Sequence, residues 1–405
     1  MQTHFQVLIF SISLPFLVLC DISSHDGYRH DLSPPQIIRS EGYPCEVYKV
    51  TTDDGYILEM HRIPHGINNQ NISETRPVVF VQHGLLSSSA DWVIASPKKA
   101  LGYILADAGY DVWMGNFRGN SYSRNHLTLK PSKIRFWKFS WDQMAKYDLP
   151  AMIKKTMSLT NSSQIQFVGH SMGTTVFMAM LNIYPDMKEH FHLAHFLSPI
   201  AYISHTISPI KYFAKFGNEI GWVLNHLGAG EFLPSRWLMN VLSALFCKPG
   251  MNHICKSTIF LLCGYDHAQT NSSLLPTIIQ HTPAGTSTYT VVQYAQEFNT
   301  GDFKAMDWGK KQNIKYHGSE VPPRYQIEAV DVPVAVYRGK NDWLAQEEDV
   351  IHVVNRLPQL YDDYIVPYDD WNHVDFLWAI DADRFLYKKL IDNMKRYENK
   401  DILKK

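Results

Sequence analysis

Gly169-His170-Ser171-Met172-Gly173 joins a strand-like run, Ile165-Gln166-Phe167-Val168, to a helix-like segment from Thr174 to Leu181. Few architectures set glycine-x-serine-x-glycine in that context. A strand must feed a helix through a turn so sharp that a Cβ two residues before or after the serine would collide with neighbouring backbone. The pattern therefore demands a sheet with helices packed on it. It also leaves the Ser171 hydroxyl at the sheet's edge over a helix N-terminus, where negative charge is favoured. Composition alone produces the five letters in about one chain in ten of this size. The flanking strand and helix carry the inference.

A serine hydroxyl is a poor nucleophile until a histidine takes its proton and a carboxylate fixes the histidine tautomer. On a strand-turn-helix scaffold of this kind the acid follows the serine and the histidine comes last. Val334-Ala335-Val336-Tyr337 reads as a buried strand, and Asp342 stands just past its end, where the ligand-facing groups of such sheets lie. Tyr364-Ile365-Val366-Pro367-Tyr368 reads as a further strand, followed by Asp369-Asp370-Trp371-Asn372-His373. The expected roles are Ser171 as nucleophile, His373 as general base and then acid, and Asp342 as orienting carboxylate. With 19 histidines and 39 acidic residues, chain order selects little; placement after two successive strands selects this pair. Asp349 and His352 fall in a helical stretch and read as a solvated face. Asp369 and Asp370 stand too near His373 in sequence to orient it across two strand ends. Acyl transfer also needs backbone N–H groups aimed at the oxyanion. Met172 supplies one. Leu85, in His83-Gly84-Leu85-Leu86 after the strand Val78-Val79-Phe80-Val81-Gln82, supplies the other.

Further stretches extend the pattern: Gly42-Tyr43-Pro44, Thr52-Asp53-Asp54-Gly55-Tyr56-Ile57-Leu58, Leu105-Ala106-Asp107-Ala108-Gly109-Tyr110-Asp111-Val112-Trp113 and Gly115-Asn116-Phe117-Arg118-Gly119-Asn120. Met144-Ala145-Lys146-Tyr147-Asp148-Leu149-Pro150, Pro283-Ala284-Gly285-Thr286-Ser287 and Asn372-His373-Val374-Asp375-Phe376 complete it. With these, the chain resembles the acid lipase family of gastric and lysosomal lipases and their invertebrate relatives. The resemblance implies an α/β-hydrolase fold, a mostly parallel central sheet with an inserted, mainly helical cap or lid. It implies the same triad and the same two oxyanion amides, and no cofactor or metal. Met172 departs from the glutamine common in mammalian members, which matters little where only its N–H acts. Phe117 replaces a common serine and touches no catalytic role.

A formal charge of -1 and the lack of a basic run give no footing for a nucleic-acid partner. Near pH 5, protonation of most of the 19 histidines would bring the charge to roughly +15 or more. Residues 1–20 read as an export signal: Leu8 to Leu19 suits an apolar h-region and is short for a membrane span. Val18 and Cys20 suit cleavage before Asp21, although the leader carries no Lys or Arg; an uncleaved anchor is the alternative. Export fits three glycosylation sequons, at Asn71, Asn161 and Asn271. Cys247 and Cys255 bracket Pro249-Gly250, a turn suited to a disulfide; the resemblance suggests the same pair, with Cys263 free and buried. Cys45 has no evident partner. No C-x-x-C or H-E-x-x-H spacing points to a metal.

Residues 45 to 63 read as an edge hairpin turning at Asp54-Gly55. Strands near 78–83, 110–115, 165–170 and 194–198 alternate with helical stretches, as a mostly parallel sheet requires. The alternation stops after Leu197-Ser198-Pro199 and resumes at Val334. The expected organisation is a core over residues 21–201 and 330–405 with an insertion over 202–329. Within the insertion, Ile220, Val223, Leu224 and Leu227 form one helical stripe, and Leu238, Val241, Leu242 and Leu245 a second. They read either as core packing or as the apolar face of a lid that turns onto lipid. The reading is a secreted or lysosomal serine lipase acting on triacylglycerol, cholesteryl ester or both at a lipid–water interface. A soluble carboxylesterase and a catalytically silent lipid carrier are the alternatives. Oligomeric state is not legible.

Overall fold

A computed structural model describes residues 32–68, 75–214, 230–232 and 262–402. The export signal, Asn71, the Cys247–Cys255 pair and both apolar stripes of the insertion lie outside these residues. The strands are β1 (Glu46–Thr51), β2 (Tyr56–Ile63), β3 (Val78–Gln82), β4 (Asp111–Gly115), β5 (Asn125–His126), β6 (Ile165–His170), β7 (Phe191–Leu197), β8 (Glu231–Phe232), β9 (Thr286–Ser287), β10 (Val334–Arg338) and β11 (Leu360–Ile365). The main sheet runs β1-β2-β4-β3-β6-β7-β10-β11, with β5 paired to β2. Pairing is antiparallel from β1 through β2 to β4 and parallel from there on. This is the α/β-hydrolase fold.

Strand alternation explains why both faces of the sheet are covered. Val78 and Phe80 of β3 join one apolar cluster with Trp113, Phe167, Phe196 and Val336. Val79 and Val81 point the other way, to a second cluster with Val112, Met114, Val168, Leu197 and Tyr337. A period-two side-chain rule on continuous apolar strands has this consequence, and it is the signature of a buried parallel sheet. Helices α1 (Leu101–Asp107), α2 (Leu149–Thr160), α3 (Met172–Ile183), α4 (Thr288–Thr300), α5 (Glu347–Val354) and α6 (Lys388–Ile402) supply most of the cover. In α3 every residue from Met172 to Leu181 is buried, so this helix lies in the middle of the molecule.

Three sequence stretches widely spaced along the chain meet in one buried ion cluster. The guanidinium of Arg118, fully buried, donates to both carboxylate oxygens of Asp54 at 2.6 and 2.8 Å and to Asp148 at 2.7 Å, and stacks 4.0 Å over the Tyr56 ring. It fastens the β1–β2 turn to the loop after β4 and to the start of α2. A buried charge left without its partner is costly, so Arg118→Met should lower unfolding free energy by about 3–5 kcal/mol in denaturant titrations.

Three expectations need correction. Asp349 is not on a solvated face: it is buried on α5, where its carboxylate accepts the His205 backbone N–H at 2.9 Å and lies 2.7 Å from His205 Nδ1. The last strand is Leu360–Ile365 rather than 364–368. Val366 N–H still donates to Arg338 O, but Pro367 has no N–H with which to continue the ladder. Its edge position also disguised it, because Asp362 and Asp363 look like turn residues until they pair with Lys389 and Arg338. β7 likewise begins at Phe191, three residues before the expected 194.

Candidate active site

The chain runs from β3 to β4 on one side, then crosses to β6 and continues through β7, β10 and β11 on the other. The order therefore reverses between β3 and β6, and ligand-facing groups belong outside the C-terminal ends of strands at that point. Ser171 follows β6 there, and His83-Gly84-Leu85 follows β3. Ser171 takes φ 52 and ψ -120, a conformation rarely seen outside glycine, and α3 starts at the next residue. Its N–H is held by Leu197 O at 3.1 Å, and the Thr174 hydroxyl donates to its carbonyl at 2.7 Å. The turn is tight enough that a Cβ on Gly173 would stand 2.5 Å from the Gln82 carbonyl oxygen. Backbone must move to admit it. Gly173→Ala should cost about 1–3 kcal/mol and lower the melting temperature, with activity falling as β3 is pushed from β6.

The loops after β10 and β11 bring the other two residues. His373 Nε2 lies 2.9 Å from Ser171 Oγ. On the far side of the ring, His373 Nδ1 lies 3.0 and 2.9 Å from the two Asp342 carboxylate oxygens. All three residues are buried, with Ser171 keeping 8% exposure. Burial alone would push the Asp342 carboxyl up. The adjacent His373 imidazole, the Ser198 hydroxyl and the Ala345 N–H outweigh it and hold the group below the usual carboxylate range. Backbone N–H groups of Leu344 and Ala345 reach Asp342 Oδ1 at 3.0 and 2.9 Å, so the acid is fixed by its own loop.

Sequence reasoning missed Ser198, which follows β7. Its hydroxyl donates to Asp342 Oδ2 and lies 2.8 Å from His373 Nδ1. Two serines thus touch the same imidazole, on opposite nitrogens. Ser198 is fully buried against the carboxylate, and only Ser171 sits on the nitrogen that faces away from the acid. A Ser-Pro step closing a strand gave no sequence signal for this.

Residues 263–265 also close on the site. Cys263 O accepts from His373 N at 3.4 Å and Trp343 N at 3.3 Å, Gly264 O accepts from the Asn372 amide at 3.1 Å, and Tyr265 O accepts from Asn341 at 2.7 Å. One short stretch therefore ties the Asp342 loop to the His373 loop. Cys263 is free and partly buried, as is Cys45. Asp266 and Asp375 are both buried; burial pushes both carboxyls up, Asp375 well above its ordinary range.

On the β3 side, Gly84 approaches Ser171 so closely that a Cβ there would stand 3.0 Å from Ser171 Cβ. Leu85 is next in the chain, and Leu86 adopts φ 60 with its carbonyl accepting Ala284 N–H at 2.6 Å. Met172 is the first helical residue of α3, so its N–H has no intrahelical acceptor. The loop is anchored by His83, whose Nε2 accepts from Phe117 N–H at 3.1 Å and faces the Asn120 amide at 3.2 Å. Burial takes the His83 imidazole down to about 4, and burial takes His170 and His195 down to about 3. These three stay neutral at pH 5, so the acid-pH charge is smaller than a count of histidines implies. Asp91 moves oppositely: burial pushes it up to about 8, with the Ser87 hydroxyl and the Thr282 hydroxyl, the latter at 3.1 Å, turned onto it.

Among the sequons in the described residues, Asn161 is an exposed helix C-cap with φ 53, and Asn271 is exposed with its amide oxygen accepting from Ser273. No helix of the described residues is long and apolar enough to cross a membrane.

Comparison with known proteins adds relatives over nearly the whole length. Residues 34–96 match the partial alpha/beta-hydrolase lipase region, and residues 77–221 match the alpha/beta hydrolase fold. The chain is 40% identical to the lipase lipl-1 of Caenorhabditis elegans, covering 90% of this chain and 93% of that one. It is 39% identical to the gastric triacylglycerol lipase of Rattus norvegicus, over 89% and 90% of the two chains. It is also 39% identical to the lysosomal acid lipase/cholesteryl ester hydrolase of Homo sapiens, over 91% and 92%. Among solved structures, a thermophilic esterase from Thermogutta terrifontis superposes with TM-score 0.50 at 16% identity, over 88% of this chain and 98% of that one.

Proposed function

The chain belongs to the acid lipase family of α/β-hydrolases and is a lipase; from that premise we propose that it hydrolyses neutral-lipid esters, triacylglycerol, cholesteryl ester or both, through an acyl-enzyme on Ser171. The observation that carries the assignment of residues is the single imidazole of His373 within hydrogen-bond distance of both Ser171 Oγ and Asp342. With Nδ1–H donated to Asp342, Nε2 is left as the acceptor for the Ser171 proton.

Ser171 Oγ attacks the ester carbonyl as its proton passes to His373 Nε2. The Leu85 and Met172 N–H groups receive the negative charge that develops on the carbonyl oxygen. His373 then protonates the leaving alcohol, a glycerol or sterol oxygen, and the acyl group remains on Ser171. Water, deprotonated by the same nitrogen, attacks the acyl-enzyme and releases the fatty acid. Asp342 stays charged throughout and holds the ring. No cofactor enters these steps.

Residues 202–329 serve as the cap over a core of 21–201 and 330–405 in this reading. The secretory route, to an extracellular or lysosomal lumen, is supported by what the relatives are named and by the exposure of Asn161 and Asn271, both open to glycan addition. The test is an activity panel on emulsified triolein, cholesteryl oleate and a soluble short-chain ester between pH 4 and 8. Release of fatty acid from at least one emulsified lipid supports the proposal. Turnover of the soluble ester alone makes the protein a carboxylesterase, and no turnover of any substrate makes it a lipid carrier.

A further inference from the structure

We propose that Thr282 and Asp91 are positioning residues for the oxyanion amide of Leu85, acting through the Thr282–Gly285 segment that grips the loop after β3. The inference rests on the reading of Ser171 as nucleophile and of Leu85 N–H as an oxyanion donor.

The Leu85 peptide lies between two anchors. Upstream, the core holds His83 through Phe117 N–H and the Asn120 amide. Gly84 follows, packed so closely that a Cβ there would stand 3.0 Å from Ser171 Cβ and 3.2 Å from His170 Nδ1. Downstream, Leu86 adopts φ 60, a conformation that disfavours a side chain. Left to itself this residue would relax to negative φ and turn the adjoining peptide with it. The Leu86 carbonyl instead accepts Ala284 N–H at 2.6 Å. The downstream anchor therefore comes from the chain between β7 and β10, not from the sheet.

That anchor is itself fastened to the loop it holds. The Thr282 hydroxyl donates to Asp91 Oδ1 at 3.1 Å, and the Ser87 hydroxyl donates to Asp91 Oδ2. One buried carboxyl thus joins the residue two before Ala284 to the residue just after Leu86. Pro283 fixes its own φ, which keeps the Thr282 hydroxyl and the Ala284 N–H at a set spacing. The Ala284 carbonyl accepts from Ser121 Oγ at 3.1 Å. Before the segment, the short helix Leu275–His281 packs Leu275 and Ile278 on Ala90 and Ile94, either side of Asp91 in the chain. After it, Gly285 turns at φ 87 into β9, where the Ser287 hydroxyl donates to Trp137 O.

An amide one residue from a strained carbonyl moves when that carbonyl is released. A shift of a fraction of an ångström weakens its hydrogen bond to the oxyanion, and that bond is made in the transition state rather than with bound ester. Loss of the Thr282–Asp91 contact should therefore appear in kcat and not in KM. Burial pushes the Asp91 carboxyl up to about 8, so in acid it is neutral and a carboxamide can replace it. The amide nitrogen would donate to Ser87 while its oxygen accepts from Thr282.

The experiment compares wild type with Thr282→Val and Asp91→Ala, which remove the contact, and with Thr282→Ser and Asp91→Asn, which keep it. Each is assayed on a soluble short-chain ester and on the matching thionoester, below the melting temperature of every variant. A thiocarbonyl sulfur accepts N–H bonds poorly, so wild type should favour the ester. A displaced Leu85 amide erases part of that preference, whereas damage to the triad slows both substrates alike. On the ester, kcat should fall about tenfold in Thr282→Val and about ten- to a hundredfold in Asp91→Ala. KM should stay within about twofold, and the ester-to-thionoester ratio should fall in step with kcat. Thr282→Ser and Asp91→Asn should recover most of the rate and of the ratio. Thr282→Val is nearly isosteric, so it reads the contact even where Asp91→Ala folds poorly. An unchanged kcat in folded Thr282→Val, or a fallen kcat with an unchanged ratio, overturns the proposal. A wild type that shows no preference for the ester, or that turns over no ester and takes no phosphonate label on Ser171, overturns instead the reading on which this one rests.

Discussion

Ser171→Ala should lower kcat for ester hydrolysis by about a million-fold while leaving the melting temperature within a degree or two of wild type. Removing the nucleophile of a serine-histidine-acid set typically costs that much, because the set acts as a unit and the remaining members do nothing alone. The residual rate over water would come from the oxyanion amides and from substrate binding. Stability should hold because the substitution deletes one hydroxyl whose partner, His373 Nε2, can turn to the cleft and water. The side chain also sits at φ 52, which alanine tolerates no worse than serine. Both quantities are read from purified protein by pH-stat titration on a soluble ester and by thermal melting. A loss of under a hundredfold would mean that another group attacks.

Asp342→Asn should lower kcat by about 10,000-fold with geometry retained. The amide is nearly isosteric with the carboxylate, and its oxygen can still accept the N–H groups of Leu344 and Ala345. Its nitrogen would then face His373 Nδ1 and donate to it. The imidazole would place its proton on Nε2, the tautomer that cannot accept from Ser171. The wild-type carboxyl is held below the ordinary carboxylate value by His373, Ser198 and Ala345 against burial, so it stays charged further into acid than an ordinary carboxyl. The linkage sign follows from that depression. Asp342 contributes stability fully above its unfolded pKa and loses it only as pH falls through the lower folded one. Wild type and Asp342→Asn should therefore diverge in stability above about pH 4 and converge in strong acid. Steady-state kinetics and pH-dependent melting check both halves.

Much of this site was legible because its residues follow strand ends. A buried parallel strand advertises itself as a short apolar run, and whatever follows its C-terminus stands at the ligand face. Ser171, Asp342 and His83-Gly84-Leu85 are read that way, and Ser171 and Asp342 both lie within hydrogen-bond distance of His373. His373 is legible even though the strand before it begins four residues earlier than expected, since Leu360–Ile365 is an edge strand whose acids resemble a turn. Residues whose importance lies in a long-range hydrogen bond left no such trace. Ser198 looks like the end of a strand before a proline, and Asp349 like one acid among several on a helix. The meeting of Asp54, Arg118 and Asp148 was visible only as three separate motifs. Spacing within a sequence reports local geometry; it does not report which buried charge pairs with which.

The central claim is that His373 activates Ser171 and no other serine. Incubation of the wild-type protein with an alkyl phosphonate ester, followed by intact-mass and peptide mass spectrometry, tests it most directly. One covalent adduct on Ser171, abolished in Ser171→Ala and slowed severely in Asp342→Asn, is the predicted result. An adduct on Ser198, or a protein that hydrolyses ester without taking the label at residue 171, would contradict it.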